Sequence, residues 1–323
     1  MMDYKNWVLM LIALLHLSCE KEQKDIVDVS GISVNSEVIR FEQKFYNSNA
    51  ENLPELKRQY SYLFPEREAD TVWLNKMKDE DELFLFEASQ SVFQDFEEEK
   101  QKLTSLFKHV KYYYPGFTEP KIVTILSNVD YENKVIYADS LLFIALDTYL
   151  GSEHEVYKGY PNYIKQNFNK SHLSVDVAEQ LAAPIIRPAI SKTFVSKMIQ
   201  EGKKMKLMES YLPEVEKNEL MGYTPEQLNW AEVSEGDIWK YFIQKEMLYS
   251  SEGELSDRFI KPAPFSKFYL EVDQDSPGRI GVWFGWQIVN SFMNNNAETV
   301  QEMINIDNEE LFKRSKYKPR KNQ

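Results

Sequence analysis

Hydrophobic positions recur along this chain with two periods, and the period changes near residue 120. Before that point it is helical. In "ENLPELKRQYSYLFP", Glu51 to Pro65, the apolar Leu56, Tyr60 and Leu63 recur at spacings of four and three, and the pattern stops at a proline. From Glu82 to about Tyr112, Phe86, Phe93, Phe96, Leu103, Phe107 and Val110 recur at spacings of seven, three and four. Charged "EEEKQK", Glu97 to Lys102, falls on the opposite side. This predicts one long amphipathic helix with a core stripe and a wet face. Pro115-Gly116 ends it.

The period then drops to two. "PKIVTILSNVD", Pro120 to Asp130, alternates and is rich in β-branched residues, which predicts a strand. "NKVIYADSLLFIALDTYLG", Asn133 to Gly151, predicts two more short strands joined near Asp139. A tyrosine-rich loop comes next. Helical text returns at about Ser174 and runs to about Leu248, with breaks at Pro188 and Pro213. "FIKPAPFS", Phe259 to Ser266, is a proline-interrupted loop. No internal repeat or composition shift divides the chain beyond its N-terminus. The expected fold is α+β, mostly helical with a small mixed sheet of two to four strands, in one globular domain over residues 36–312.

The last strong element, Ser276 to Met293, differs from the others. Ser276 suits an N-cap and Pro277 a first helical turn. Gly278, Gly281 and Gly285 then share one face, and each costs a helix about 1 kcal/mol relative to alanine. Such a face predicts close backbone approach to another element. Arg279, Trp283, Trp286 and Gln287 are candidates to line a site there; a tightly packed core helix is the other reading.

The N-terminus changes the picture of location. "WVLMLIALLHLSC", Trp7 to Cys19, has the length of a signal h-region and is short for a membrane span. Cys19 is the one cysteine in the chain, so it makes no internal disulfide. It follows small Ser18 and precedes fully polar "EKEQKD". Where a leucine is usual three positions earlier, His16 stands between Leu15 and Leu17. The arrangement resembles a bacterial lipoprotein start: a signal over 1–18, a lipidated Cys19 and a polar tether to residue 35. Acyl chains such as palmitate would hold the protein to a membrane. An uncleaved anchor with a chance cysteine is the alternative, and both readings place the domain outside the inner membrane. The tail 313–323 carries six basic residues in eleven and is expected to be frayed.

Charge and composition exclude some functions. With 51 acidic and 38 basic residues the net charge is -13, which argues against nucleic-acid binding. There is no G-x-S-x-G nucleophile elbow and no G-x-x-x-x-G-K-[ST] phosphate loop. No cofactor motif is present. The four histidines, His16, His109, His154 and His172, include no pair at i and i+4. A catalytic zinc usually needs three protein ligands, so an atypical site would draw on His154, His172 and carboxylates. "AEQLA", Ala178 to Ala182, would read H-E-x-x-H if both alanines were histidine. It is either an emptied metal site or a helix of strong helix formers.

The chain resembles the GldB family of gliding-motility-associated lipoproteins of Bacteroidetes-type bacteria. The resemblance rests on the lipoprotein start at Cys19, on "VIRFEQKFY" (Val38 to Tyr46), on "VIYADSLLFIALDTYLG" and on "SPGRIGVWFGWQIVNSFM". That family is distantly similar to zincin-type metalloproteases. The similarity implies an edge strand at "DSLLFIALDTYLG", a metal helix at "AEQLA", a second helix at "QEGKK" (Gln200 to Lys204) and a closing helix at "PGRIGVWFGWQIV". Glu179 would then match the general base and Glu201 the third ligand, with Ala178 and Ala182 in the two histidine positions. The resemblance implies a zincin-like core without metal ligands, cofactor or catalysis. It also implies a lipid-anchored component of the gliding apparatus in the cell envelope, facing the periplasm. Its partners would be other gliding or secretion-machinery proteins and the membrane. A metal-dependent hydrolase and a scaffold lipoprotein without a functional cleft are the competing expectations.

Overall fold

Two apolar runs between residues 121 and 145 form the centre of the sheet. A computed structural model describes residues 26–320. The expected signal segment, Cys19 and the first part of the tether lie outside these residues. Strands β1 (Val38–Arg40), β2 (Lys121–Ile125), β3 (Val135–Ala138) and β4 (Leu141–Ala145) lie in the spatial order β1-β2-β4-β3. β1, β2 and β4 run parallel, and β3 runs antiparallel to β4. Val123 pairs with Ile39 on one side and with Phe143 on the other. The three-residue β1 is too short to show a period, and the sequence pattern did not mark it.

Burial distinguishes inner strand from edge. Ile122 and Val123 of β2, and Leu142, Ile144 and Ala145 of β4, are all 0% exposed, as an apolar run in a strand covered on both faces must be. β3 instead alternates, with Val135 buried and Ile136 exposed. Thus the stretch expected as the edge strand, Asp139 to Gly151, supplies inner strand β4 and a following 3-10 turn, Leu146–Thr148. The edge is β3. The two join at Asp139, whose φ of +54° makes the turn.

Seven helices position the site or pack behind it: α1 (Glu80–Val92), α2 (Glu97–Tyr113), α3 (Leu173–Ala182), α4 (Phe194–Tyr211), α5 (Glu235–Gln244), α6 (Ile280–Asn295) and α7 (Asn308–Ser315). The predicted helix from Glu82 to Tyr112 is in fact α1 and α2. Phe96 takes a left-handed conformation, φ +60°, and breaks it. The apolar period runs on through the break because Phe93 and Phe96 still enter the core, at 0% and 2% exposure. The Asp95 side chain accepts from the Glu97 backbone N at 3.0 Å and restarts the helix.

α6 is apolar almost all round and lies at the centre of the helical layer. It packs mainly on α4 and also on α7. Gly278, just before it, and its own Gly281 and Gly285 meet three different parts of the chain rather than one. A Cβ on Gly278 would strike the Ala263 carbonyl oxygen at 2.1 Å, and one on Gly281 the Phe259 oxygen at 2.9 Å. At Gly285 the neighbour is α4 itself. Ser276 does not cap α6. The helix begins at Ile280, behind a left-handed Arg279 (φ +60°, ψ +26°), and the Ile280 N donates to the Ser266 hydroxyl at 3.2 Å. Ser276 instead fastens the preceding loop, donating to the Ser266 carbonyl at 3.0 Å.

Of the basic tail, Lys313 to Ser315 belong to α7, and the Tyr317 ring packs edge-on against Trp239 of α5 at 5.0 Å. Among the described residues no helix is long and apolar enough to cross a membrane.

Candidate functional site

α3 divides its residues between core and cleft. Leu173, Val177, Ala178, Leu181 and Ala182 form its buried side, with Ala178 and Ala182 at 0% exposure. Asp176, Glu179 and Gln180 face a cleft of about 620 Å³. The cleft is bounded by Val135 of edge strand β3 and Lys134 just before it, by α3, by Tyr223 and by Arg279 at the start of α6.

Glu179 and Glu201 are brought together by a lysine. Lys204 lies one turn beyond Glu201 on α4. Its Nζ is 2.7 Å from Glu179 Oε1 and 2.9 Å from Glu201 Oε2. Burial alone would raise the Glu179 carboxyl. The Lys204 ammonium, with Arg279 and His172 farther off, outweighs burial and holds it down at about 2. Burial likewise opposes the charge on Lys204, and the two carboxylates outweigh it and raise its pKa. Both partners therefore stay ionised.

Two further carboxylates flank this trio. Asp176 accepts from Lys134 Nζ and, at 2.7 Å, from the Tyr149 hydroxyl. Burial first and Asp176 second push the Tyr149 hydroxyl well above its ordinary range. His172 stands between acids, 3.6 Å from Asp176 and 3.2 Å from Glu219. Its hydrogen bond to Glu219 lowers that carboxyl against the opposing effect of burial.

The remaining sequence candidates separate. Arg279 lines the cleft with Glu179. Trp283 and Trp286 are 1% and 0% exposed and belong to the core, where no ligand reaches them. The Trp286 Nε1 donates to Glu209 at 3.3 Å. Gln287 lines a different polar groove with Tyr113 and Asn290. His154 is half-buried on a loop, near the Phe84 and Tyr157 rings, and its Nδ1 accepts from the Val156 N at 3.4 Å, so it does not join His172. Among the described residues no group of three or more His, Cys, Asp or Glu side chains is arranged to hold a metal ion.

Sequence reasoning missed Lys204, Lys134, Asp176 and Tyr223. For Lys204 a signal was present: its i,i+3 spacing from Glu201 in "QEGKK" is that of an intrahelical ion pair. Nothing local pointed to Glu179 as its second partner, because the contact crosses between helices.

Fold and cleft together define an α+β protein with a polar cleft under an antiparallel edge strand. More particularly, the chain belongs to the gliding motility protein GldB family, whose sequence model matches residues 22–319. No curated protein and no solved structure matches it. The family is one of gliding-motility components rather than a known enzyme family, and its name marks a lipoprotein of the cell envelope associated with the motility machinery.

Proposed function

We propose that this protein is a non-catalytic, lipid-anchored component of the gliding apparatus, linked to the associated secretion system, that binds an extended polypeptide in the cleft beside β3. Cys19 carries the lipid, and the domain over residues 36–312 faces the periplasm. The observation that carries the reading is the position of Lys204. In a zincin-like core emptied of its metal, Glu179 would stand at the general base and Glu201 at the third ligand. Here an ammonium group joins them and neutralises part of the charge that a divalent cation would otherwise answer. With histidines absent at 178 and 182, Glu179 has no metal-bound water to activate.

Further support comes from the topology. Edge strand β3, inner strand β4, a helix bearing Glu179, a second helix bearing Glu201 and a closing helix with Gly281 and Gly285 succeed one another along the chain, so the expected order is kept except that the strand before the Glu179 helix is not the edge. The outer side of β3 pairs with no other strand among the described residues. Lys134 O accepts from Ala145 N at 2.9 Å, so Lys134 turns its backbone toward β4, and by alternation Val135 turns its own outward into the cleft. A cleft of about 620 Å³ at Glu179 supports binding over a scaffold role without a cleft.

The test places a photo-crosslinking residue at exposed Gln180 in the lipidated chain and irradiates intact membranes. The expected result is a discrete protein adduct that Val135→Pro abolishes, since proline removes the outward N–H and is tolerated on an edge. An adduct insensitive to Val135→Pro, or none in gliding cells, overturns strand addition. Stoichiometric zinc in the purified protein overturns the non-catalytic reading.

A further inference from the structure

Charge inside the cleft is matched residue by residue except at Arg279; on the rim, exposed Glu132 also has no ion pair among the described residues. Lys134 is paired with Asp176, Lys204 with Glu179 and Glu201, and His172 with Asp176 and Glu219. Arg279 also lines the cleft, yet among the described residues its guanidinium has no carboxylate within 4.0 Å and makes no hydrogen bond. Its charge is felt at a distance by Glu179 and Tyr223.

The backbone presents this side chain rigidly and in an unusual conformation. Arg279 is left-handed, which costs a residue with a Cβ about 1–2 kcal/mol. The segment around it is bonded on several sides: Ser266 Oγ donates to Pro277 O at 2.7 Å, and Tyr223 Oη donates to Gly278 O at 2.6 Å. Gly278 has no room for a side chain against Ala263. A strained residue held by such a network, pointing an unmatched charge into a cavity, marks a contact that something else completes.

Resting on the strand-addition reading, we propose that Arg279 receives a carboxylate of the bound polypeptide, either its C-terminus or an acidic side chain. An extended segment lying along β3 displaces water from the cleft. Lys134 and Lys204 then keep their partners, but Arg279 loses its hydration with nothing to replace it. A guanidinium covered in this way needs an acceptor, and a carboxylate answers its fork with two parallel hydrogen bonds and an opposite charge.

Two random peptide libraries test this, one with free and one with amidated C-termini. Each is panned against the purified full-length protein and against Arg279→Gln and Arg279→Lys, with folding of each variant checked by thermal melting. Captured peptides are expected to share an aspartate or glutamate at one position, or to come from the free-terminus library alone; the first outcome assigns a side chain and the second a terminus. Their affinity should fall at least tenfold on Arg279→Gln and less on Arg279→Lys. Replacing the shared acid by its amide in the peptide should have the same effect on the unaltered protein. Peptides captured without a shared carboxylate, or bound equally by Arg279→Gln, overturn the role of Arg279 and leave strand addition standing. That outcome includes an Arg279 that turns to Glu179 instead. No capture from either library overturns both.

Discussion

Gly202 of α4 and Gly285 of α6 meet backbone to backbone. A Cβ on Gly202 would stand 2.2 Å from the carbonyl carbon and oxygen of Gly285, and one on Gly285 would stand 1.7 Å from the Met198 oxygen. No side chain can yield at such a contact, because both surfaces are main chain. This crossing sets the position of α4 and with it Glu201 and Lys204.

Gly285→Ala is therefore expected to destabilise the protein by at least about 3 kcal/mol, at the upper end for overpacking, because the helices must separate. Gly116→Ala, at a position with nothing within 4 Å, serves as the control and should stay within about 0.5 kcal/mol. Urea denaturation of the two variants checks this.

Lys204→Met removes the cation that bridges Glu179 and Glu201. A fully buried charge left alone costs about 3–5 kcal/mol; solvent reaching Glu179 reduces the expectation to about 2 kcal/mol at neutral pH. The sign with pH is set by Glu179, whose folded pKa of about 2 lies below its ordinary 4.5. Its stabilising contribution is complete above 4.5 and is lost as pH falls toward 2. The difference between wild type and Lys204→Met should therefore narrow on acidification. An NMR titration should find the Glu179 carboxyl raised in the variant relative to wild type, because burial is then opposed only by the more distant Arg279 and His172.

Asp147 holds the loop that closes one end of the cleft. Its carboxylate, 0% exposed, accepts from Ser127 N at 3.0 Å and Val129 N at 2.7 Å. Asn128 and Val129 are both left-handed, at φ +58°. Such a conformation in a β-branched residue persists only when its surroundings impose it. Asp147→Ala is expected to cost about 3 kcal/mol by leaving two buried N–H groups unpaired. Amide exchange at Tyr131 and Glu132, on the cleft rim, should rise with it.

Lys203 supplies a test at alkaline pH. Burial lowers its pKa to about 8, although its Nζ donates to the Ile304 oxygen at 3.3 Å and the Ile306 oxygen at 2.5 Å. Between about 8 and the ordinary 10.5, the unfolded chain holds a proton that the folded chain has released. Stability from this group should therefore rise with pH across that window, by up to about 3 kcal/mol. Lys203→Met removes the rise. Urea denaturation of both proteins at pH 7.5, 9 and 10 reads the difference.

Local pattern was enough for much of the architecture. The period of two marked β2, β3 and β4, and the Asp139 turn falls where β-propensity is interrupted. The glycines of the last helix signalled close approach, because glycine is unfavourable in a helix interior unless something needs the space. Local pattern failed where both readings share a period. Phe93 and Phe96 kept a helical spacing across a break because the break itself is buried.

For the candidate site, residue identity and helix propensity alone establish that no H-E-x-x-H pair exists and that "AEQLA" and "QEGKK" lie on helices. Packing in three dimensions was needed to place Trp283 and Trp286 in the core, to put Val135 rather than β4 at the cleft, and to join Glu179 to Glu201 through Lys204. The reason is geometric. Those facts depend on how α3, α4 and α6 cross, and the crossing is set by contacts such as Gly202 with Gly285, between residues 83 positions apart (285 − 202).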